Sequence, residues 1–277
     1  GMGGGIVGPE IATPTATTIA SFVIPVSAVA DVPTVTGSGA GNEDENIPVS
    51  ITVGHADNAD GSETIKNVVI SNVPSGYTLA TTSTGGGVLT DNGSGQYTVT
   101  GPTDAAINDL LSKLVLTFVP GGARQHLDTE FNLSVTATTI ESSPSETEAG
   151  QVSLLEASHT VQVPITVTAV VDGVTTSGSS IIVEDVARTI GSEIAWTHID
   201  ADGSEFVTSV VISGFPVGST VTYTDVGGIS HTFVATGTDT ITLTGAHSAA
   251  GEAGIRTALN TLNVTAPAHS DVNFELG

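Results

Sequence analysis

The sequence predicts an all-β protein: tandem immunoglobulin-like or cadherin-like β-sandwiches, each with one short helix. Three observations carry that expectation. Val, Ile and Thr fill the apolar and flanking positions, punctuated by 33 Gly and 12 Pro. That composition suits pleated, half-buried strands. Most segments alternate apolar and polar residues with period two, the strand signature. One block is also written twice, and a fixed-period repeat outweighs any single motif in assigning architecture.

The repeat is visible in two pairs of phrases. DNADGSE at Asp57–Glu63 returns as DADGSE at Asp200–Glu205, and VISNVPSG at Val69–Gly76 returns as VISGFPVG at Val211–Gly218. Gly61 and Gly203 lie 142 residues apart, as do Gly76 and Gly218 (203 − 61 and 218 − 76). Weaker matches extend the register. VSAVAD at Val26–Asp31 matches VTAVVD at Val167–Asp172, and Glu43-Asp44 matches Glu184-Asp185. Ile107, Leu111 and Leu114 match Ile255, Leu259 and Leu262, and His126 and Asp128 match His269 and Asp271. Residues 1–32 then read as a tag remnant (GMGGG) and the last strand of a preceding repeat. Residues 33–172 are a complete repeat, and 173–277 a second one lacking its final strand.

Strands are expected at Val49–Val53, Val68–Ile70, Tyr97–Val99, Leu114–Val119, Phe131–Ala137 and Val161–Ala169. Asp91–Gly95 (DNGSG) is a hairpin turn, since Asn and Gly tolerate positive φ. Asp104–Lys113 is helical: Ile107, Leu110, Leu111 and Leu114 recur at helical spacing, and Thr103 or Asp104 can cap the first turn. Gly37–Gly41 (GSGAG) reads as a loop, because no strand–helix context supports a nucleophile elbow. Ile19–Ala30 has no preceding Lys or Arg and reads as a strand, not a signal peptide. No apolar run reaches the ~20 residues of a membrane span.

Charge narrows the function classes. Five Lys and Arg stand against 29 Asp and Glu, a net charge of −24. Nucleic acid and anionic membrane surfaces need cationic contacts, so both are excluded as partners. With no Cys there is neither a disulfide nor a thiolate site. Bound cations are the natural substitute cross-link. Seven histidines are scattered without zinc-binding spacing, and only His126 and His269 repeat in register. Paired carboxylates serve glycosidases, but here they sit in a duplicated turn. The chain is not expected to be an enzyme.

The acidic turn is the candidate site. Asp57, Asp60 and Glu63 fall within seven residues around Gly61, and Asp200, Asp202 and Glu205 repeat them. Ca2+ takes six to eight oxygen ligands, and such a turn supplies several. The rest are expected from Glu43 and Asp44, or Glu184 and Asp185, placed near the same end of the sandwich, and from Asp31 and Asp172 in the links. A solvated acidic loop is the competing reading. Asp128 and Asp271 are explained by a turn before a core strand.

The runs NEDEN (Asn42–Asn46), DNADGSET, VVISNVPSGYTL and DNGSGQYTV resemble the repeats of large RTX-type adhesins of Gram-negative bacteria. The resemblance covers roughly residues 22–277. It implies calcium-rigidified extender modules on a cell-surface or secreted protein exported by type I secretion, acting in adhesion and biofilm. Copy two departs from it, following Glu184-Asp185 with Val-Ala-Arg. The partners expected are neighbouring repeats of the same polypeptide. Head-to-tail self-association is also expected, with Phe22–Val29 of one molecule adding a strand to residues 174–277 of the next. A glycan- or protein-binding adhesive module, and an accessory module of a secreted hydrolase, are the alternatives. A binder should show one copy diverging around an aromatic or polar pocket.

Overall fold

A computed structural model describes residues 1, 3–5, 8, 19–22, 29–56, 61–141, 155–200, 202–270 and 272–277. The first half runs β1 (Thr34–Asn42), β2 (Ile47–Gly54), β3 (Glu63–Ser71), β4 (Tyr77–Thr81), β5 (Val88–Gly93), β6 (Gln96–Thr100), α1 (Asp104–Leu111), β7 (Leu114–Phe118), β8 (Phe131–Glu141) and β9 (Glu156–Thr168). The strands bond in the order β4-β7-β2-β1-β9-β8-β3-β6-β5. Every pairing is antiparallel except β1 with β9. The ribbon closes over itself into a sandwich. The Leu79 N–H of β4 donates to the Tyr97 hydroxyl of β6 at 3.2 Å, and Tyr77 of β4 packs on Phe131 of β8 with ring centroids 5.9 Å apart.

Period-two patterning fills the space between the two layers. β2 buries Ile47, Val49, Ile51 and Val53 and exposes the residues between them. Each such side chain contributes about 1.5–3 kcal/mol when fully buried. Of the two candidate caps, Thr103 caps α1, accepting the Ala106 N–H at 3.1 Å. The buried face of the helix, Ile107, Leu110 and Leu111, joins the same core.

The GSGAG run is not a loop. It lies inside β1, with Gly37, Gly39 and Gly41 on the less exposed face. A Cβ on Gly39 would come within 2.7 Å of the Ile165 side chain and 2.9 Å of Val49. Glycine there admits the close approach of neighbours.

The second half runs β10 (Val174–Ser177), β11 (Arg188–Thr189), β12 (Ala195–His198), β13 (Ser209–Ile212), β14 (Thr220–Thr224), β15 (Ser230–Val234), β16 (Ile241–Thr244), α2 (Ala249–Leu259) and β17 (Asn263–Thr265). Its core, from Ile190 to Val264, shares no residue with the first. Ile255, Leu259 and Leu262 are buried there, as Ile107, Leu111 and Leu114 are in the first core. The chain is thus all-β, two sandwich units in tandem with one short helix each.

Backbone conformation repeats with the sequence. Left-handed residues come in matched pairs: Asp44 and Asp185, Gly61 and Gly203, Asn72 and Gly214, Gly76 and Gly218, His126 and His269. The copies also diverge. β11 and β12 together occupy the place of the continuous β2, separated by a 3-10 turn at Gly191–Glu193. β15 pairs with β14, whereas its sequence counterpart β5 pairs with β6.

Candidate cation site at the joint between the modules

Acidic residues collect at both ends of the first sandwich, and the ends differ. The Asp31 N–H, just ahead of β1, donates to Glu63 Oε1 at 2.8 Å. At the other end of β1, the Glu43 N–H donates to the Thr168 carbonyl at 2.9 Å. The nine residues of β1 separate these points, about 30 Å at ~3.3 Å per residue. Glu43 and Asp44 therefore do not share an end with the acidic turn of their own module, as the sequence reading had placed them. They face the acidic turn of the next one.

There Glu43, Asp200 and Asp202 each offer a carboxylate oxygen, all within 4.8 Å of one another. Glu43 is 1% exposed and Asp200 6%. Glu43 Oε1 accepts the Val170 N–H at 2.6 Å. Its Oε2 is sealed from solvent and has no hydrogen-bond partner. Burial pushes the Glu43 carboxyl above its ordinary range; the Val170 N–H opposes this, and Asp200, Asp172 and Asp202 add to it. Asp202 moves the other way. Burial would raise it, but its side-chain interaction with Asp200 and the hydrogen bonds donated by Ser204 and the Asp128 N–H hold it well below the carboxylate range.

The turn itself is ordered from within. Asp200 Oδ1 accepts the Asp202 N–H at 3.0 Å, Asp202 Oδ1 accepts the Ser204 N–H at 2.8 Å, and Ser204 Oγ donates to Asp200 Oδ2 at 3.0 Å. Glu205 Oε1 accepts the Asp172 N–H at 2.7 Å, repeating the Asp31–Glu63 contact one module on. The Asp128 N–H donates to Asp202 Oδ2 at 3.2 Å. A hydrogen bond with Asp202, then burial, raises the Asp128 carboxyl. Asp128 is thus part of the joint, not only a turn residue.

A second group stands beside the first. His126 Nδ1 lies 2.8 Å from Asp44 Oδ2 and in close contact with Asp172 Oδ2. Gln125 Oε1 is occupied by the Gly121 N–H, so the Gln125 amide nitrogen faces His126 Nε2 at 3.1 Å. That leaves Nδ1 to carry the proton held between the two carboxylates. Burial would lower the His126 pKa, but Asp44 and Asp172 outweigh it and raise it.

Of the residues singled out from sequence, Glu43, Asp44, Asp172, Asp200, Asp202 and Glu205 meet at the joint. Asp31 and Glu63 meet at the upstream end of the first module. Glu184 and Asp185 are exposed and join neither group. Asp57, Asp60 and Asp271 lie outside the described residues, as do residues 23–28 of the proposed donor strand.

Sequence reading missed a third feature. His55 Nε2 lies 2.7 Å from Asp104 of α1, whose other oxygen accepts the Ile65 N–H at 2.8 Å. In the second module, His198 Nε2 lies 3.0 Å from Glu252 of α2, which accepts the Val207 N–H at 3.0 Å. A carboxylate at the start of each helix thus braces both flanks of the acidic turn. His126 and His269 are therefore not the only histidines in register. The signal was present in HADNADGSE and HIDADGSE, hidden by a one-residue deletion. The copies differ beneath this brace. Where Asn108 bonds the Val53 backbone in the first module, Arg256 stacks over Trp196 in the second, 3.4 Å from the ring centroid.

The residues at the joint fit a hard divalent cation. The donors around Glu43 are all carboxylate oxygens, and one buried oxygen lacks a partner, which is costly unless a cation or proton meets it. Fold and site together define tandem β-sandwich modules joined through an acidic interface. No protein-family model matches the chain, and no curated protein does. Among solved structures it is similar to the major pilin subunit of Bacillus cereus, at 10% identity and a TM-score of 0.33. That match covers 81% of this chain and 64% of the pilin, so the chain spans less than two thirds of the pilin's length. A likeness of that size bears on neither fold nor role. No helix among the described residues is long and apolar enough to cross a membrane.

Proposed function

We propose that the chain is a pair of structural extender modules from a bacterial cell-surface or secreted adhesin, stiffened at their joint by calcium. Glu43, Asp200, Asp202 and the flanking Asp44, Asp172 and Glu205 hold the ion, which neutralises carboxylates that otherwise repel across the joint. The role is mechanical: a stiff joint holds a distal adhesive element away from the cell. Export by type I secretion and a part in biofilm follow from the RTX-like phrases. The observation that carries this reading is Glu43, whose Oε2 is buried without a partner against two carboxylates of the next module. Small-angle scattering tests it. Calcium should lengthen and narrow the distribution of maximum dimensions relative to EDTA; the same profile in both would sink the calcium joint.

One observation favours a second reading, a ligand-binding module. The second copy has diverged around a cleft of about 360 Å3 lined by His198, Phe206, Glu252 and Arg256. Trp196, the chain's only tryptophan, does not line the cleft but touches two residues that do: its Nε1 donates to Glu252 Oε1 at 2.6 Å, and Arg256 lies over its ring. Quenching of Trp196 fluorescence by soluble glycans would support it, and an unresponsive signal across a broad panel would leave the spacer role alone.

A further inference from the structure

The two modules share a His–carboxylate brace and differ in three residues beside it. Trp196 stands two residues before His198, where the first module has Val53 before His55. Phe206 follows Glu205 where Thr64 follows Glu63, and Arg256 follows Ile255 where Asn108 follows Ile107. In the first module Asn108 closes the ground between helix and strand, donating to the Val53 carbonyl and accepting the Val53 N–H, both at 2.9 Å. In the second, Phe206 and Arg256 line a cleft of about 360 Å3 together with His198, Glu205 and Glu252. That volume falls at the small end of ligand pockets, which run from about 300 to 1,000 Å3.

Arg256 gives that cleft a positive charge with no internal carboxylate to meet it. The chain has five Lys and Arg against 29 Asp and Glu. Lys66 pairs with Glu156, Lys113 with Asp109 and Arg188 with Glu193. Arg124 donates to the Thr129 carbonyl, and its Nε is sealed from solvent. Arg256 is half-buried over the Trp196 ring, and its Nη1 donates to the Ile194 carbonyl at 3.1 Å. Among the described residues no carboxylate lies within ion-pairing distance of it. Glu252 stands one turn earlier on α2, a spacing that ordinarily pairs such charges. Its oxygens are instead taken by Trp196 Nε1, His198 Nε2 and the Val207 N–H. A guanidinium has five N–H donors in a planar fork that matches a carboxylate, and most of the Arg256 fork remains open.

We propose that this cleft binds a saccharide carrying a single carboxylate, with the carboxylate on Arg256 and the sugar ring against Phe206. The inference rests on the reading of the second copy as a ligand-binding module, and it names the ligand class. One arginine neutralises one charge. That separates such a sugar from the polyanions that a net charge of −24 repels. The wider field of the chain is screened over about 8 Å at physiological salt, so the contact with Arg256 decides. Glu205 lines the rest of the cleft; its Oε1 accepts the Asp172 N–H at 2.7 Å, which leaves its second oxygen for a sugar hydroxyl. Phe206 is held by an edge contact with His247, ring centroids 5.4 Å apart, and offers an aromatic surface to the apolar face of a sugar.

Calorimetry on the full chain at physiological salt tests this with two matched pairs of sugars, cellobiouronic acid against cellobiose and sialyllactose against lactose. In each pair only the first carries a carboxylate. The wild type should bind an acidic sugar more tightly than its neutral partner by on the order of tenfold, the usual effect of a charge-assisted hydrogen bond. Arg256→Gln should erase that preference, and a preference that survives would overturn the assignment. Equal binding within both pairs would overturn the carboxylate while the glycan-binding reading stands. If none of the four sugars binds, both fall. An acetylated tripeptide with a free C-terminal carboxylate checks the carrier: binding as tight as that of the acidic sugar would overturn the saccharide. Should Arg256→Gln not fold, Arg256→Lys keeps the charge but loses the fork. It should weaken the acidic sugar several-fold, and an unchanged affinity would overturn the site.

Discussion

Glu43→Gln should change the sign of its effect with calcium. Gln keeps the shape and removes the charge. The oxygens of Glu43, Asp200 and Asp202 lie within 4.8 Å of one another. At that separation two unit charges repel by about 0.9 kcal/mol in bulk water and about 3.5 kcal/mol at an effective dielectric of ~20. With two carboxylate neighbours, removing the Glu43 charge relieves about 2–7 kcal/mol. Against this, the Val170 N–H loses a charged acceptor, a cost of about 1 kcal/mol. Without calcium the variant should therefore be more stable by at least about 1 kcal/mol, a rise in Tm of about 2–4 °C for a domain of this size. With calcium the order should reverse. An ion present at ten times its Kd stabilises the wild type by about 1.4 kcal/mol, and the variant should forfeit most of that. Differential scanning calorimetry in EDTA and in millimolar calcium reads both arms. A Glu43→Gln protein that melts below wild type in EDTA as well as in calcium would refute the reasoning.

The pH dependence of the EDTA-treated protein follows from groups at the joint. Glu43 is raised from 4.5 by burial, Asp128 from 3.8 by its hydrogen bond with Asp202, and His126 from 6.5 because Asp44 and Asp172 outweigh its burial. A raised folded pKa means stability present below the ordinary pKa and lost as pH climbs through the folded one. Tm in EDTA should thus be higher near about pH 5 than near about pH 8, with calcium flattening the difference; a rise toward alkaline pH would contradict the assignment. Glu252→Gln weakens contacts to Trp196 Nε1 (2.6 Å), His198 Nε2 and the Val207 N–H. It should cost about 1–3 kcal/mol and shift Trp196 emission to the red, and an unaltered spectrum would rule out the brace. Leu111→Ala and Leu259→Ala each leave a cavity in a separate core and should cost about 2–5 kcal/mol. Their effects should add within about 0.5 kcal/mol, and strong coupling would mean the cores are not independent.

The sequence by itself determined the local and periodic features. Period two gave β2, β3 and β8, because a half-buried strand leaves alternate residues on one face whatever it pairs with. Ile107, Leu110 and Leu111 gave α1 by the same logic at a period of 3.6. The duplicated phrases located matched left-handed turns at Gly61 and Gly203, since only a few residues tolerate that backbone. What only the tertiary structure decided is which acids meet. Glu43 and Asp200 are far apart in sequence, and no spacing rule links them. Their contact depends on β1 carrying Glu43 to the end opposite its own acidic turn. The glycines of β1 read as a loop because their reason, the close approach of Ile165 and Val49, comes from other strands. Turn chemistry and burial periodicity act over a few residues and are written locally. Electrostatic partnership acts through space, so it is settled only once strand order and register are fixed.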